Sequence, residues 1–473
     1  MVEQVWPATL ALLRHASPDA IFAYRQGRAI SVRTFLQDVA LVAASLPQRS
    51  HVLNACTDRY HFAVGLAAAI LKRQVSLLPP SHNPEMVRQM REIHPQVYCL
   101  SEQALAGMDL PWLAYPLPDG AGSQSLEQVL PIPQIDVDQV IACVFTSGST
   151  GRPTEHIKRW GSLVRNVMAE ALRLGLSADS GHSLVGTVPP QHMYGLESTV
   201  LVAWQSGTAM VAERPFYPAD ISATLAALPS PKVLVTTPFH LRTWLAEAAE
   251  VPALDLIVSA TAPLSASLAK EAEQRCGAPL LEVYGSTETG QVATRRSARS
   301  LEWWSFEGLQ LLEREGQTWV SGGHLDAPVA LNDVLELCEP SEVDGAQATR
   351  FVLHGRSADM VNIAGKRTSI SYLNLQLNAI PGVVDGAFLW PEADADDSQG
   401  QVKRLTAVVV APQLDAAQLL AALRQRIDPA FMPRPLHFVD ALPRNATGKL
   451  PQATMLELAH RLSAGVQVSS TTP

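Results

Sequence analysis

The sequence predicts an α/β fold, with a large multi-layered amino-terminal domain of mostly parallel sheets and a small α+β domain at the carboxyl end. Three observations carry that expectation. Short, wholly apolar runs of strand length alternate with helical stretches. Gly- and hydroxyl-rich turns follow two of those runs, where α/β sheets place their ligands. The pattern changes character after Arg356, where strands and helices resume in a unit of roughly 110 residues, the size of an independent domain. The expected divisions are residues 1–355, 356–465 and a disordered tail, 466–473.

In chain order, His51–Cys56 (HVLNAC) reads as a buried strand and Phe62–Leu71 (FAVGLAAAIL) as a core helix. Gln74–Pro80 reads as a strand ended by proline. Gly120–Asp136, rich in Gly, Ser, Gln and Pro, reads as a surface loop leading into a buried strand at Ile141–Phe145. The rhythm returns at Lys232–Thr237, Leu254–Ala260 and Pro279–Tyr284. Beyond Arg356, strands are expected at Gly386–Trp390, Leu405–Ala411 and Arg434–Val439, and a helix at Ala416–Ile427. The acidic stretch from Pro391 to Gln401 reads as a solvated hairpin tip, lacking the Gly and Glu positions of a calcium loop.

A chain of 473 residues exceeds one simple core and implies two or three folding units. With 47% hydrophobic and 17% charged residues it reads as a soluble globular protein. A net charge of −9 argues against a nucleic-acid partner. The five cysteines, Cys56, Cys99, Cys143, Cys276 and Cys338, follow no metal-site or disulfide spacing and read as buried free thiols. The amino terminus shows no basic leader. Lys72-Arg73 stops the most apolar run, so no membrane span is expected and a cytoplasmic location is.

The most informative stretch is Phe145–Lys158, FTSGSTGRPTEHIK. It sets six consecutive Gly, Ser and Thr residues, Thr146–Gly151, directly after a strand. Such a turn gathers backbone N–H groups and hydroxyls at one point, as phosphate-binding loops do. Composition alone leaves an ordinary flexible turn equally open, and the Walker spacing is absent. Further along stand VPPQHMYG (Val188–Gly195), VYGSTETG (Val283–Gly290), GRSADMVNIAGKR (Gly355–Arg367) and LPRNATGKL (Leu442–Leu450).

Together, in this order, the five segments resemble the signatures of the adenylate-forming superfamily. It includes acyl-CoA synthetases, aryl-acid ligases, luciferases and the adenylation domains of peptide synthetases. The resemblance spans nearly the whole chain. It implies ATP and Mg²⁺ as cofactors, activation of a carboxylic acid as its adenylate, displacement of AMP by a thiol, and a carboxyl-terminal domain that rotates between the two steps. Thr146, Ser147, Gly148, Ser149, Thr150 and Gly151 would cradle the β- and γ-phosphates. Tyr284 would lie against adenine on the loop that carries Gly285 and Ser286; Thr287 would contact the α-phosphate and Glu288 would hold Mg²⁺. Asp333 and Arg356 would contact the ribose, although Asp333 lacks the family's usual preceding residues and an Asp at a tight turn remains an alternative. Lys449 would be the catalytic cation and His192 the mobile aromatic residue at the acid pocket, with a satisfied core histidine as the alternative. Tyr194, Gly195, Phe239, Ala260 and Thr261 would line that pocket, and Gly365 and Lys366 the thiol tunnel.

The sequence departs from the pattern at two places, the phosphate loop and the hinge. Thr154, not Lys, follows Pro153, leaving Lys158 or Arg159 to reach the phosphates from a slightly longer loop. Ala358 stands at the hinge position. Glu197 is out of place for binding an α-ammonium group, which disfavours an α-amino acid substrate. In pattern the chain looks most like the small ligases of aryl-polyene and xanthomonadin-type pigment clusters, which load a hydroxybenzoate-like acid onto an acyl carrier protein. Three readings stay open: transfer to a carrier-protein phosphopantetheine, transfer to free coenzyme A, and a nucleotide-binding protein that has lost catalysis.

Overall fold

The structure, a computed structural model, describes residues 6–105, 107–116, 129–147, 153–338, 341–343, 346–356, 360–363, 366–390, 405–444 and 450–463. The amino-terminal body is built on two large sheets. The first has six strands, in the order Pro153–Arg159, Val140–Ser147, Val75–Leu78, His51–Asn54, Tyr98–Ser101 and Trp112–Ala114. All its pairings are parallel except the first, an antiparallel hairpin. The second has eleven strands. Its parallel middle runs through Leu280–Ser286, Leu256–Ser259, Lys232–Thr236, Ser183–Gly186, Ala209–Val211 and Ile21–Arg25. Antiparallel strands extend it to Asp333–Leu337 on one edge and Arg28–Ser31 on the other.

The largest apolar core joins these layers. Phe35, Phe62, Trp160, Val167, Leu196 and Trp204 are all buried there. The helix Arg59–Leu71 is apolar around its whole circumference and all but Leu71 is buried, as its composition dictates. It begins three residues earlier than expected because Asp58 caps it, accepting from the N–H groups of Tyr60 and His61. Its first residue, Arg59, is fully buried. The guanidinium donates to Thr199 Oγ1 and to the carbonyls of Gly186, Val188, Val211 and Glu213. Burial, and then the nearby Arg214, lowers its pKa to about 10, so it stays cationic and ties the ends of two strands, Ser183–Gly186 and Ala209–Val211, to its helix.

The strand Arg350–Arg356 is the second strand of the large sheet, so a division of the chain between 355 and 356 falls on its last residue. From Val361 onward the described apolar residues form their own clusters. They sit around a three-stranded sheet, Asp385–Leu389, Thr406–Val410 and Leu436–Phe438, and helices Ile370–Asn378, Ala416–Arg424 and Gln452–Ser463. The mixed α/β fold with mostly parallel large sheets is the one the sequence predicts.

Three expectations are corrected. Gly120–Asp136 is not loop throughout: Gln134–Asp136 is a strand paired with Thr9–Ala11, because Ile135 is buried between exposed neighbours. Cys338 is only half-buried, since it follows the last residue of an edge strand, whereas the other four thiols are buried and free. Thr146 and Ser147 still belong to the strand Val140–Ser147, and Gly285 and Ser286 to Leu280–Ser286, because hairpin pairing carries each ladder past the apolar run. The acidic stretch from Pro391 to Gln401 and the tail 466–473 lie outside the described residues. Among the described residues no helix is long and apolar enough to cross a membrane.

Candidate active site

Four neighbouring parallel strands end along one edge of the large sheet: Ser183–Gly186, Lys232–Thr236, Leu256–Ser259 and Leu280–Ser286. The segments that leave them are Val188–Gly195, Thr237–Phe239, Ala260–Thr261 and the turn from Ser286 to Gly290. Parallel pairing therefore brings the expected acid-pocket residues and the VYGSTETG turn to one face, the carboxyl edge where α/β sheets bind ligands. The Tyr194 hydroxyl stitches this edge together, donating to the carbonyls of Thr236 (3.1 Å) and Val258 (3.2 Å). Gly195, the last residue of the short helix Met193–Gly195, lets the backbone come close to Pro189: a Cβ there would meet the Pro189 carbonyl oxygen at 1.9 Å. Thr261 has φ +80°, a left-handed backbone unusual for a β-branched residue and of the kind that clusters at functional sites.

The turn after Ser286 is closed from within. Ser286 N–H donates to Thr289 Oγ1 and Thr289 N–H donates to Ser286 Oγ, which presents Thr287 and Glu288 at the tip. Burial pushes the Glu288 carboxyl up, but its own N–H, the Ser286 hydroxyl, His156 and Lys158 together hold it below its ordinary value. One half-exposed carboxylate fits Mg²⁺, which keeps several waters and takes one or two carboxylates plus substrate phosphates. Among the described residues no group of three or more His, Cys, Asp or Glu gathers as a closed metal cage.

Opposite this turn stands the hairpin strand Pro153–Arg159. Lys158 donates to the carbonyl of Thr287. Burial lowers its pKa, while the charges of Glu197 and Glu288 pull it back up. Arg159 points elsewhere, donating to the Asp138 carbonyl at 2.9 Å. Lys158 thus stands on a strand and not on a longer loop, since residues 153–159 pair with 140–147. His156, which the sequence reading did not single out, places Nε2 2.8 Å from Thr146 Oγ1 and 3.8 Å from Glu288 Oε1.

On the far side, Tyr284 packs its ring on Trp303 and Phe351 (centroids 5.6 and 5.7 Å) and donates its hydroxyl to Asp333 Oδ2 at 2.7 Å. Asp333 is in register with Arg356 on the neighbouring strand. Three expected nucleotide-binding positions, of which Tyr284 and Asp333 are 49 residues apart in sequence, therefore come together. A cavity of about 320 Å³ opens among Lys158, Asn166, Met193, Glu197, Glu288 and Gly290. Met193 follows His192, which begins the short helix Met193–Gly195. A larger depression near Lys270, Glu273 and Arg296 lies at the start of strand Leu280–Ser286, away from this edge.

Phe239 opens the helix Pro238–Glu247 and faces the carboxyl-terminal unit, with the Arg444 guanidinium 5.9 Å over its ring. Arg242 on the same helix donates to the Val384 carbonyl and lies 3.9 Å from Asp385. Lys366 is paired with Asp428 at 2.6 Å within that unit. Gly148, Ser149, Thr150, Gly151, Ala358, Gly365 and Lys449 lie outside the described residues.

The Tyr284–Asp333 pair, the Thr287–Glu288 turn and the facing Lys158 thus gather where parallel α/β sheets hold their ligands. The chain belongs to the AMP-binding enzyme family, whose profile matches residues 16–305. It is 30% identical over 308 residues to a 4-coumarate–CoA ligase of Rhodobacter capsulatus, covering 64% of this chain and 73% of that protein. An indoleacetate–CoA ligase of Aromatoleum aromaticum is 25% identical over 399 residues, 76% of each chain. Among solved structures, ATP-bound MatB of Rhodopseudomonas palustris superposes with a TM-score of 0.75 at 21% identity, covering 95% of this chain and 97% of that one. The o-succinylbenzoate CoA synthetase of Bacillus subtilis with ATP and magnesium gives 0.75 at 16% identity, covering 93% and 97%. The chain is an AMP-forming acid–thiol ligase, with ATP as a substrate.

Proposed function

We propose that this enzyme adenylates an aryl, hydroxybenzoate-like, or acyl carboxylic acid and passes it to the phosphopantetheine thiol of an acyl carrier protein in the cytoplasm. The observation that supports the adenylation reading is that Tyr284, Asp333 and the Thr287–Glu288 turn meet on the large sheet while Lys158, from the facing hairpin strand, reaches that turn. In the first step a carboxylate oxygen attacks the α-phosphorus of ATP and pyrophosphate leaves. In the second the thiol, losing its proton, attacks the acyl carbon and AMP leaves.

Electrostatic positioning does most of the work in such phosphoryl chemistry. Asp333 and Arg356 hold the ribose, Tyr284 lies against the base, and Thr287 contacts the α-phosphate. Glu288 holds Mg²⁺, which would neutralise phosphate charge when bound. Thr146–Gly151 and Lys158 hold the β- and γ-phosphates, and Lys449 bridges the attacking carboxylate and the α-phosphate. His192, Tyr194, Gly195, Ala260, Thr261 and Phe239 shape the acid pocket, and Gly365 and Lys366 the thiol path, on a domain from Arg356 that rotates between steps.

Coenzyme A is the second reading, favoured by the CoA ligases among the relatives. Mass spectrometry after incubation with ATP, an aryl acid, and either CoA or a phosphopantetheinylated carrier protein decides between them. Acyl-carrier formation with CoA left uncharged supports the proposal; efficient charging of CoA with every carrier ignored overturns it.

A further inference from the structure

His156 stands on the hairpin strand Pro153–Arg159, between two groups that the proposed function gives to the nucleotide. Pairing with Val140–Ser147 sets Thr154, His156 and Lys158 opposite Thr146, Val144 and Ala142, so these positions share one face of the hairpin. Glu155 leaves the other face, where its Oε1 lies 2.6 Å from His94 Nε2, a pair that holds the strand in this orientation. Val144 and Ala142 are buried and apolar and offer the imidazole no polar partner. The ring meets its polar neighbours diagonally across the hairpin and on the facing turn instead. Nε2 is 2.8 Å from Thr146 Oγ1 and 3.8 Å from Glu288 Oε1. Lys158, two residues on, reaches the Thr287 carbonyl from the same face.

These contacts decide where the hydrogens go. A neutral imidazole carries one N–H, and its other nitrogen is an acceptor. The Glu288 charge beside Nε2 favours the hydrogen there, and a phosphate bound at this end would add to that preference. Nε2–H then donates to Thr146 Oγ1 and cannot take the hydroxyl hydrogen. A protonated ring donates in the same sense. The Thr146 hydroxyl is left to donate outward, which is what holding a phosphate oxygen requires. The opposite tautomer would draw that hydrogen into the hairpin and turn only lone pairs towards the phosphate.

We propose that His156 is a positioning residue for the triphosphate, donating to Thr146 Oγ1 and so aiming the Thr146 hydroxyl hydrogen at a phosphate oxygen. The proposal rests on the adenylation reading for what occupies the site. It gives the phosphate end a second contributor beside Lys158, in a chain whose loop carries Thr154 in place of lysine.

The test is calorimetric binding of MgATP and of AMP to the full chain, with the KM for MgATP and for the acid taken from pyrophosphate exchange. His156→Ala should weaken MgATP binding about tenfold and leave AMP, which lacks the β- and γ-phosphates, bound as before. The KM for MgATP should rise while the acid KM stays. His156→Gln, whose side-chain amide can donate from nearly the same place, should recover most of the loss. Thr146→Val should weaken MgATP binding, and adding His156→Ala to it should weaken it little further, because the imidazole acts through the hydroxyl. Equal losses of MgATP and AMP, an unchanged MgATP affinity, a Gln variant no better than Ala, or additive losses in the double variant would overturn the proposal. The expected binding pattern without acid-dependent exchange by the wild type would leave this inference standing and sink the adenylation reading instead.

Discussion

The Tyr284 hydroxyl donates to Asp333 Oδ2 at 2.7 Å, fixing the carboxylate on the first residue of its strand. A hydrogen bond to a carboxylate contributes roughly 1.5–3 kcal/mol. Asp333→Asn should raise the KM for ATP about tenfold or more, and Tyr284→Phe should raise it less, with little change in KM for the acid. Steady-state kinetics with each substrate varied checks this. A change confined to the acid KM would contradict the nucleotide assignment.

Lys158 and Arg159 are adjacent, yet only Lys158 reaches the Thr287 turn. Lys158→Ala should raise the KM for MgATP or lower pyrophosphate exchange by about tenfold, while Arg159→Ala leaves both near the wild-type values. The reverse ranking would refute Lys158 as the substitute for the missing loop lysine.

Arg444 donates from Nε and a terminal nitrogen to the two Asp385 oxygens, each at 2.7 Å, five residues before Lys449. That pair anchors the chain leading to the proposed catalytic lysine. Lys449→Ala should slow adenylate formation on the order of 10²–10³-fold. Transfer from a pre-made acyl-adenylate to the thiol should continue largely unchanged. Single-turnover assays of the two half-reactions separate these outcomes, and equal loss in both would refute the role.

Glu170 gives a pH signature. Burial raises its pKa from 4.5 to about 8, so the folded protein keeps a proton that the unfolded chain releases. The stability this provides is complete below pH 4.5 and is lost as pH rises towards the folded value near 8. Glu170→Gln should therefore gain on wild type by up to about 1.4 kcal/mol per pH unit across that window. Urea unfolding of both proteins at several pH values measures the difference; a gap that does not widen with pH would contradict the buried, protonated carboxyl.

Much of the fold was legible because its strands are buried on both faces. Runs such as His51–Cys56 and Lys232–Thr237 must be apolar throughout, and they appear within a residue or two of their expected limits. The polar hairpin strand Pro153–Arg159 carries no such run, so its register, and with it the reach of Lys158 and His156, was invisible. Asp333 looked like a poor match in sequence, and only the sheet that joins residues 284 and 333 reveals its partner.

The most direct test of the central claim is acid-dependent exchange of labelled pyrophosphate into ATP by the purified chain, over a panel of aryl and fatty acids. The account predicts exchange that requires both Mg²⁺ and an acid, is fastest with an aryl acid, and yields AMP, not ADP, once a thiol acceptor is added. Absence of exchange with every acid, while ATP still binds, would contradict it.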